Sequence, residues 1–167
     1  YDSLNCGYGS NDDPSCVDEN RRRVASGLGF APDKLFGLKQ YHSATAILLS
    51  HTHSAGDERP DADAFVTTRH DVALAILTAD CVPVLLADRD HGVIGAAHAG
   101  WRGANSGVLE STITMMCENG ATLSSIEAVI GPAIAKSSYQ VGDDCRNAVT
   151  TAHPDASQFF SLDPDDA

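Results

Sequence analysis

No apolar run in this 167-residue sequence is long enough to span a membrane. No signal-peptide pattern is present either, so nothing points to a membrane or to secretion. Positive charge is scarce: 11 Lys and Arg stand against 23 Asp and Glu, a formal net charge of −12. Nucleic-acid backbones and anionic membranes require a basic surface, so neither is an expected partner. No Cys-x-x-Cys pair occurs among Cys6, Cys16, Cys81, Cys117 and Cys145. An odd number of unpaired-looking cysteines favours reduced thiols in a cytoplasmic protein over a disulfide framework.

Several motifs are missing as well. There is no G-x-x-x-x-G-K-[ST] and no G-x-G-x-x-G, so ATP and dinucleotide sites lack their usual marks. The zinc nucleobase-deaminase pattern, H-x-E followed by P-C-x-x-C, is absent. The only methionines are Met115 and Met116, in a helical stretch, whereas a blue-copper site usually adds an axial Met. With seven histidines in all, a full multicopper site is not visible.

What is present fits one domain over residues 1–167. The chain starts at Tyr1 without Met and stops in the acidic stretch Leu162–Ala167 with no closing element. Material is therefore expected to be missing at both ends. Residues 1–14 are loop-like. Ser15 is the expected N-cap of a helix to about Leu28, with Asp18 as its capping-box partner and Gly29 after the end. Strands are expected at Leu35–Gln40, Ala46–Leu49, Ala64–Thr67, Val72–Thr78, Val82–Ala87 and Val93–Ala97. Arg89–Gly92 should form the hairpin between the last two. Residues 51–62 read as a polar loop. A helix from about Ala104 carries Val108, Leu109, Thr112, Ile113, Met116 and Cys117 on one face and ends at Gly120. Strands Ile126–Ile130 and Tyr139–Val141 precede a helix near Asp143–Ala152. The strands cluster instead of alternating with helices, which favours α+β with a mixed sheet.

Reactive side chains gather at the ends of these strands. Asp80-Cys81 precedes Val82–Ala87, and His98 closes the next apolar run. Cys81 reads as a buried strand cysteine or as a reactive thiol. Asp80 beside it should raise the thiol pKa unless a metal reverses that effect. His98 reads as a core histidine or as a ligand in a Gly-rich exit. His42 reads as a loop histidine or as a third member. A His₂Cys set of His42, Cys81 and His98 is one that zinc accepts, although the long spacings carry little information. His51-Thr52-His53 resembles a copper-binding H-x-H, but polar-loop histidines are the plainer reading. Asp61 and Asp63, flanking Ala62 in a turn, read as a solvated pair ahead of a catalytic one. A phosphate-bearing ligand would need local positive charge. Arg102 and Arg21-Arg22-Arg23 are candidates, with Lys39 weaker. Trp101 could stack on a base or pack beneath its turn.

The motifs together resemble the YfiH-like laccase-domain family. The matching pieces are Ser3–Gly7, Glu19-Asn20-Arg21, Gln40-Tyr41-His42, Asp61–Ala64, Thr78–Pro83, His98–Gly103, Ile130–Ile134 and Tyr139–Gly142, in family order. The resemblance implies a layered α/β/β/α sandwich with zinc held by His42, Cys81 and His98. It implies phosphorolysis of inosine, adenosine and methylthioadenosine, with adenosine deamination beside it. An older label for the family is a copper-dependent polyphenol oxidase (laccase). Small-molecule nucleoside and phosphate would be the partners, with Arg102, Trp101 and Arg21 as substrate contacts. A Cys-His hydrolase or deamidase, with Cys81 as nucleophile and His98 as base, is the alternative. The family's usual first strand and Gly-Gly-rich turn are missing. Its final C-T-Y and F-F-S-x-R-R pieces are missing too, and Phe159-Phe160-Ser161 lacks the arginines.

Overall fold

The computed structural model describes residues 4–54 and 58–161. Ser3, part of the 51–62 loop and the acidic end at 162–167 lie outside the described residues. The helices are α1 (Pro14–Gly27), α2 (Trp101–Asn105), α3 (Val108–Glu118) and α4 (Asp143–Ala152). The strands are β1 (Leu35–Gly37), β2 (Ala46–Leu48), β3 (Ala64–Thr67), β4 (Ala73–Ala75), β5 (Val82–Asp88), β6 (Val93–Ala99) and β7 (Glu127–Ile130). β1 and β4 make a two-stranded parallel sheet, and the larger sheet has the order β2-β3-β6-β5-β7. Only β2–β3 is parallel in that larger sheet, so it is mixed. Among the described residues, no helix is long and apolar enough to cross a membrane.

Alternation along the strands explains the layers. On β3, Ala64 and Val66 face α3 and join Met116 and Val108, whereas Phe65 faces the other way. Phe65 and Ala96 of the large sheet pack there against Phe36 of β1 and Leu74 of β4. On the small sheet, Leu35, Ala73 and Ala75 turn outward onto Ala25 and Val24 of α1. The order through the molecule is therefore helix, small sheet, large sheet, helix. The expected α+β sandwich is observed, with hydrophobic burial as the force that holds the layers.

Several local expectations need correction. Asp13, not Ser15, caps α1: its carboxylate accepts from the Ser15 amide at 2.8 Å, and Pro14 occupies the first helical position. The strands expected at 35–40 and 72–78 shorten to β1 and β4, which pair only with each other. The helix expected from Ala104 is two helices. Gly107 adopts φ of 91° between them, a left-handed conformation that breaks the helical run. Trp101-Arg102-Gly103 lies within α2 and not in a turn. Tyr139–Val141 is not a strand; a single 3-10 turn, Lys136–Ser138, leads into irregular chain before α4. No partner strand lies beside it in either sheet.

Candidate metal centre

β3 and β6 set the register on which the site depends. Ala64 pairs with Ala97 in the antiparallel ladder, so Asp63 falls beside His98. The His98 amide donates to the Asp63 carbonyl at 2.7 Å, and its Nδ1 lies 2.8 Å from the Asp63 carboxylate. On the other side, β2 runs parallel to β3, and the residues leading into it wrap around the same carboxylate. The amides of Tyr41, His42 and Ser43 donate to it at 3.3, 3.0 and 2.6 Å, and the Ser43 hydroxyl donates at 2.7 Å. His42 has φ of 66°, the one left-handed non-glycine residue among those described. Three successive amides converging on one anion hold that turn.

Cys81 arrives from the chain just before β5. Its Sγ lies 3.7 Å from His42 Nε2. One ligand atom from each of His42, Cys81 and His98 falls within 4.8 Å of the others, the only such group of three among the described residues. His98 is buried, Cys81 half-buried and His42 exposed, so the group opens to one side. Two imidazoles and a thiol are a donor set that zinc accepts with one position left open. Burial pushes the Cys81 thiol up, and the charges of Asp80 and Asp63 add to that. A free thiolate is thus disfavoured at this position, whereas a metal ligand would be deprotonated outright.

α2 closes the group from behind. A Cβ on Gly100 would lie 2.5 Å from His42 Cδ2 and 3.1 Å from Cys81 Sγ. One on Gly103 would lie 2.6 Å from the Ser43 carbonyl oxygen. Only glycine lets the helix start sit this close. Trp101 and Arg102 follow directly, with the guanidinium 4.2 Å from the indole ring and 3.5 Å from Asp144 of α4. Tyr139 belongs to the same neighbourhood. Burial raises its hydroxyl pKa, Cys145, Cys81 and Asp80 reinforce the rise, and Arg102 opposes it.

The remaining candidates lie elsewhere. Arg21 donates to the carbonyls of Cys6 and Leu35 at 3.5 and 3.3 Å. It lines a cavity of about 910 Å³ with Tyr8, Arg59, Phe36 and Phe65, whose walls do not include His42, Cys81 or His98. Arg22 and Arg23 are exposed and pair with Glu19. Lys39 pairs with Asp61 at 3.1 Å on the surface. His53 takes part in a local turn with Ser50 and is no member of the cluster. All five cysteines are free.

Asp63 corrects the reading of Asp61 and Asp63 as a solvated pair, because its side chain has no exposure. Burial opposes its ionisation, but the bonds from His98, Ser43 and His42 outweigh that and hold its carboxyl below the usual range. The available signal was a carboxylate at the mouth of the wholly apolar start Ala64-Phe65-Val66. Gly100, Gly103 and Tyr139 fall within the family-like motifs His98–Gly103 and Tyr139–Gly142, but their contacts depend on α2 and α4.

Known proteins share this fold. A family model described as multi-copper polyphenol oxidoreductase laccase matches residues 1–166. A purine nucleoside phosphorylase of Corynebacterium glutamicum is 45% identical over 141 residues, covering 84% of this chain and 57% of the relative. One from Streptomyces griseus is 42% identical over 154 residues, covering 92% of this chain and 63% of the relative. A solved Neisseria meningitidis protein superposes with a TM-score of 0.84 at 39% identity, over 95% of this chain and 62% of that one. The YfiH protein of Bacillus licheniformis gives 0.83 at 31% identity, over 87% and 57%. The chain thus spans less than two thirds of the length of these relatives. With the sandwich in common and the family match running nearly end to end, the chain belongs to the YfiH-like laccase-domain family.

Proposed function

We propose that this chain carries the metal centre of a zinc-dependent purine nucleoside phosphorylase with adenosine deaminase side activity. The observation that carries the reading is the convergence of His42, Cys81 and His98 within 4.8 Å, in a chain 45% identical to a relative of that name. The substrates are inosine, adenosine and methylthioadenosine, with phosphate as co-substrate.

His42, Cys81 and His98 would hold the zinc, which would supply the Lewis acidity and water activation that deamination requires. In phosphorolysis a phosphate oxygen forms a bond to the anomeric carbon while the bond to the purine nitrogen breaks. Arg102 holds the phosphate dianion for that displacement, and Asp144 steadies its guanidinium. Trp101 offers a stacking face to the purine. Holding both reactants in one place supplies much of the acceleration. Arg21 sits with Arg59 on the Tyr8 ring, at 5.3 and 4.8 Å from its centroid, where an anionic group would meet two positive charges. Five free cysteines suit a reducing, cytoplasmic setting.

The test is elemental analysis beside a product assay on inosine, with and without phosphate. Cys81→Ala should lose stoichiometric zinc and phosphate-dependent release of hypoxanthine together. Full activity in metal-free Cys81→Ala would end the reading. The 3.7 Å contact between Cys81 and His42 favours a second one, a Cys-His hydrolase or deamidase, with His42 nearer the thiol than the sequence suggested. Rapid iodoacetamide inactivation on Cys81, unaffected by chelation, would select it. The family's description keeps copper and polyphenol oxidation as a third outcome, read as copper-dependent oxygen uptake with a phenol.

A further inference from the structure

We propose that Asp63 is the positioning residue of this centre: one buried carboxylate sets the tautomer of His98 and the backbone turn that presents His42. The proposal rests on the reading of the trio as a metal site, and its first test does not.

An ionised carboxylate can only accept hydrogen bonds. His98 Nδ1, at 2.8 Å from Asp63 Oδ1, must therefore be the nitrogen that carries the proton. Nε2 is left with its lone pair, the state a metal ligand requires. The same oxygen accepts from the His42 amide, and Oδ2 accepts from the amides of Tyr41 and Ser43 and from the Ser43 hydroxyl. Among the described residues, every donor to the Asp63 carboxylate thus comes from His98 or from Tyr41, His42 and Ser43. Position follows from topology: Asp63 enters the strand between β2 and β6; His98 sits on β6 and His42 in the chain leading into β2. Removing one carboxylate would disturb two ligands reached from opposite sides. Cys81 receives no hydrogen bond from it, so the position of the thiol should be kept.

Nitrogen-15 long-range correlation spectra of the metal-free wild type test the first half. At a pH where the ring is neutral, the expected result is His98 protonated on Nδ1, with Asp63→Asn shifting it toward Nε2–H or a mixture. Asparagine keeps the shape but turns an N–H₂ group toward donors. Cobalt and zinc titrations test the second half. In Asp63→Asn, zinc affinity should fall about 10–100-fold by chelator competition. At saturating cobalt the ligand-field bands should shift while the sulfur-to-cobalt charge-transfer band remains. A merely structural role would lower the melting temperature and leave tautomer, spectrum and affinity of the folded protein unchanged; that result would overturn the proposal. So would Nε2–H on His98 in the wild type, a readout that stands even if Asp63→Asn fails to fold. If the wild type binds no metal while Asp63 still controls the His98 tautomer, the metal reading fails and the positioning of the imidazole stands.

Discussion

The imidazoles of His42 and His98 meet edge to face, with centroids 4.8 Å apart and ring planes at 70°. His98 comes from β6 on one side of β3 and His42 from the chain leading into β2 on the other, and Cys81 joins them from the chain before β5. Two imidazoles this close can offer lone pairs to one cation. The chain is expected to bind one zinc ion. His42→Ala, Cys81→Ala and His98→Ala should each abolish tight binding in a titration, whereas His51→Ala and His53→Ala should leave it unchanged. Zinc at about 100 times its dissociation constant should stabilise the fold by about 2.7 kcal/mol. By scanning calorimetry that is a rise of roughly 5–11 °C, reversed by chelation.

Gly100 should tolerate no side chain. In Gly100→Ala the new Cβ meets His42 Cδ2 and Cys81 Sγ at 2.5 and 3.1 Å. Overpacking of this kind costs about 1–3 kcal/mol. Urea unfolding should show that loss, and zinc affinity should fall with it. Wild-type affinity in Gly100→Ala would mean that α2 does not brace the ligands.

Asp88 should govern part of the acid limb of stability. It is fully buried at the end of β5 and accepts from the amides of Asp90, His91 and Thr122 and from the His91 ring. Burial opposes its ionisation, but the bonds from Thr122 and His91 prevail and hold its carboxyl below the usual carboxylate range. A carboxyl more acidic when folded stabilises above its unfolded pKa of about 3.9 and loses that contribution as pH falls below it. Melting temperature should therefore drop steeply below about pH 4. Asp88→Asn should start lower at neutral pH and drop less steeply.

Met116 should be the costliest truncation in α3. It is fully buried against the large sheet, and its sulfur lies 3.1 Å from where a Cβ on Gly95 would stand. Met116→Ala should destabilise by about 2–5 kcal/mol in chemical denaturation. Cys117→Ala, one residue along and exposed, should lie within about 0.5 kcal/mol of wild type.

Local patterns carried most of the elements. Continuous apolar runs announce β3, β5 and β6, and the β5–β6 hairpin at Arg89–Gly92 follows from its turn residues. The short strands β1 and β4 were overdrawn, because an apolar run does not state how much of it finds a partner. Tyr139–Val141 has strand-like composition and, among the described residues, no strand to pair with. The break between α2 and α3 depends on the left-handed Gly107, which helical periodicity alone does not reveal.

By itself the sequence determined the ingredients: an acidic α+β chain, a cysteine and two histidines at strand ends, and glycines around Trp101-Arg102. Those are properties of residue type and near-neighbour order, which short-range periodicity and turn chemistry expose. Only the tertiary structure decided that residues 42, 81 and 98 meet, that Asp63 is buried between them, and that Arg21 faces a different cavity. The reason is register. The pairing of β2, β3 and β6 brings residues tens of positions apart into contact, and no local pattern records which strands will lie side by side.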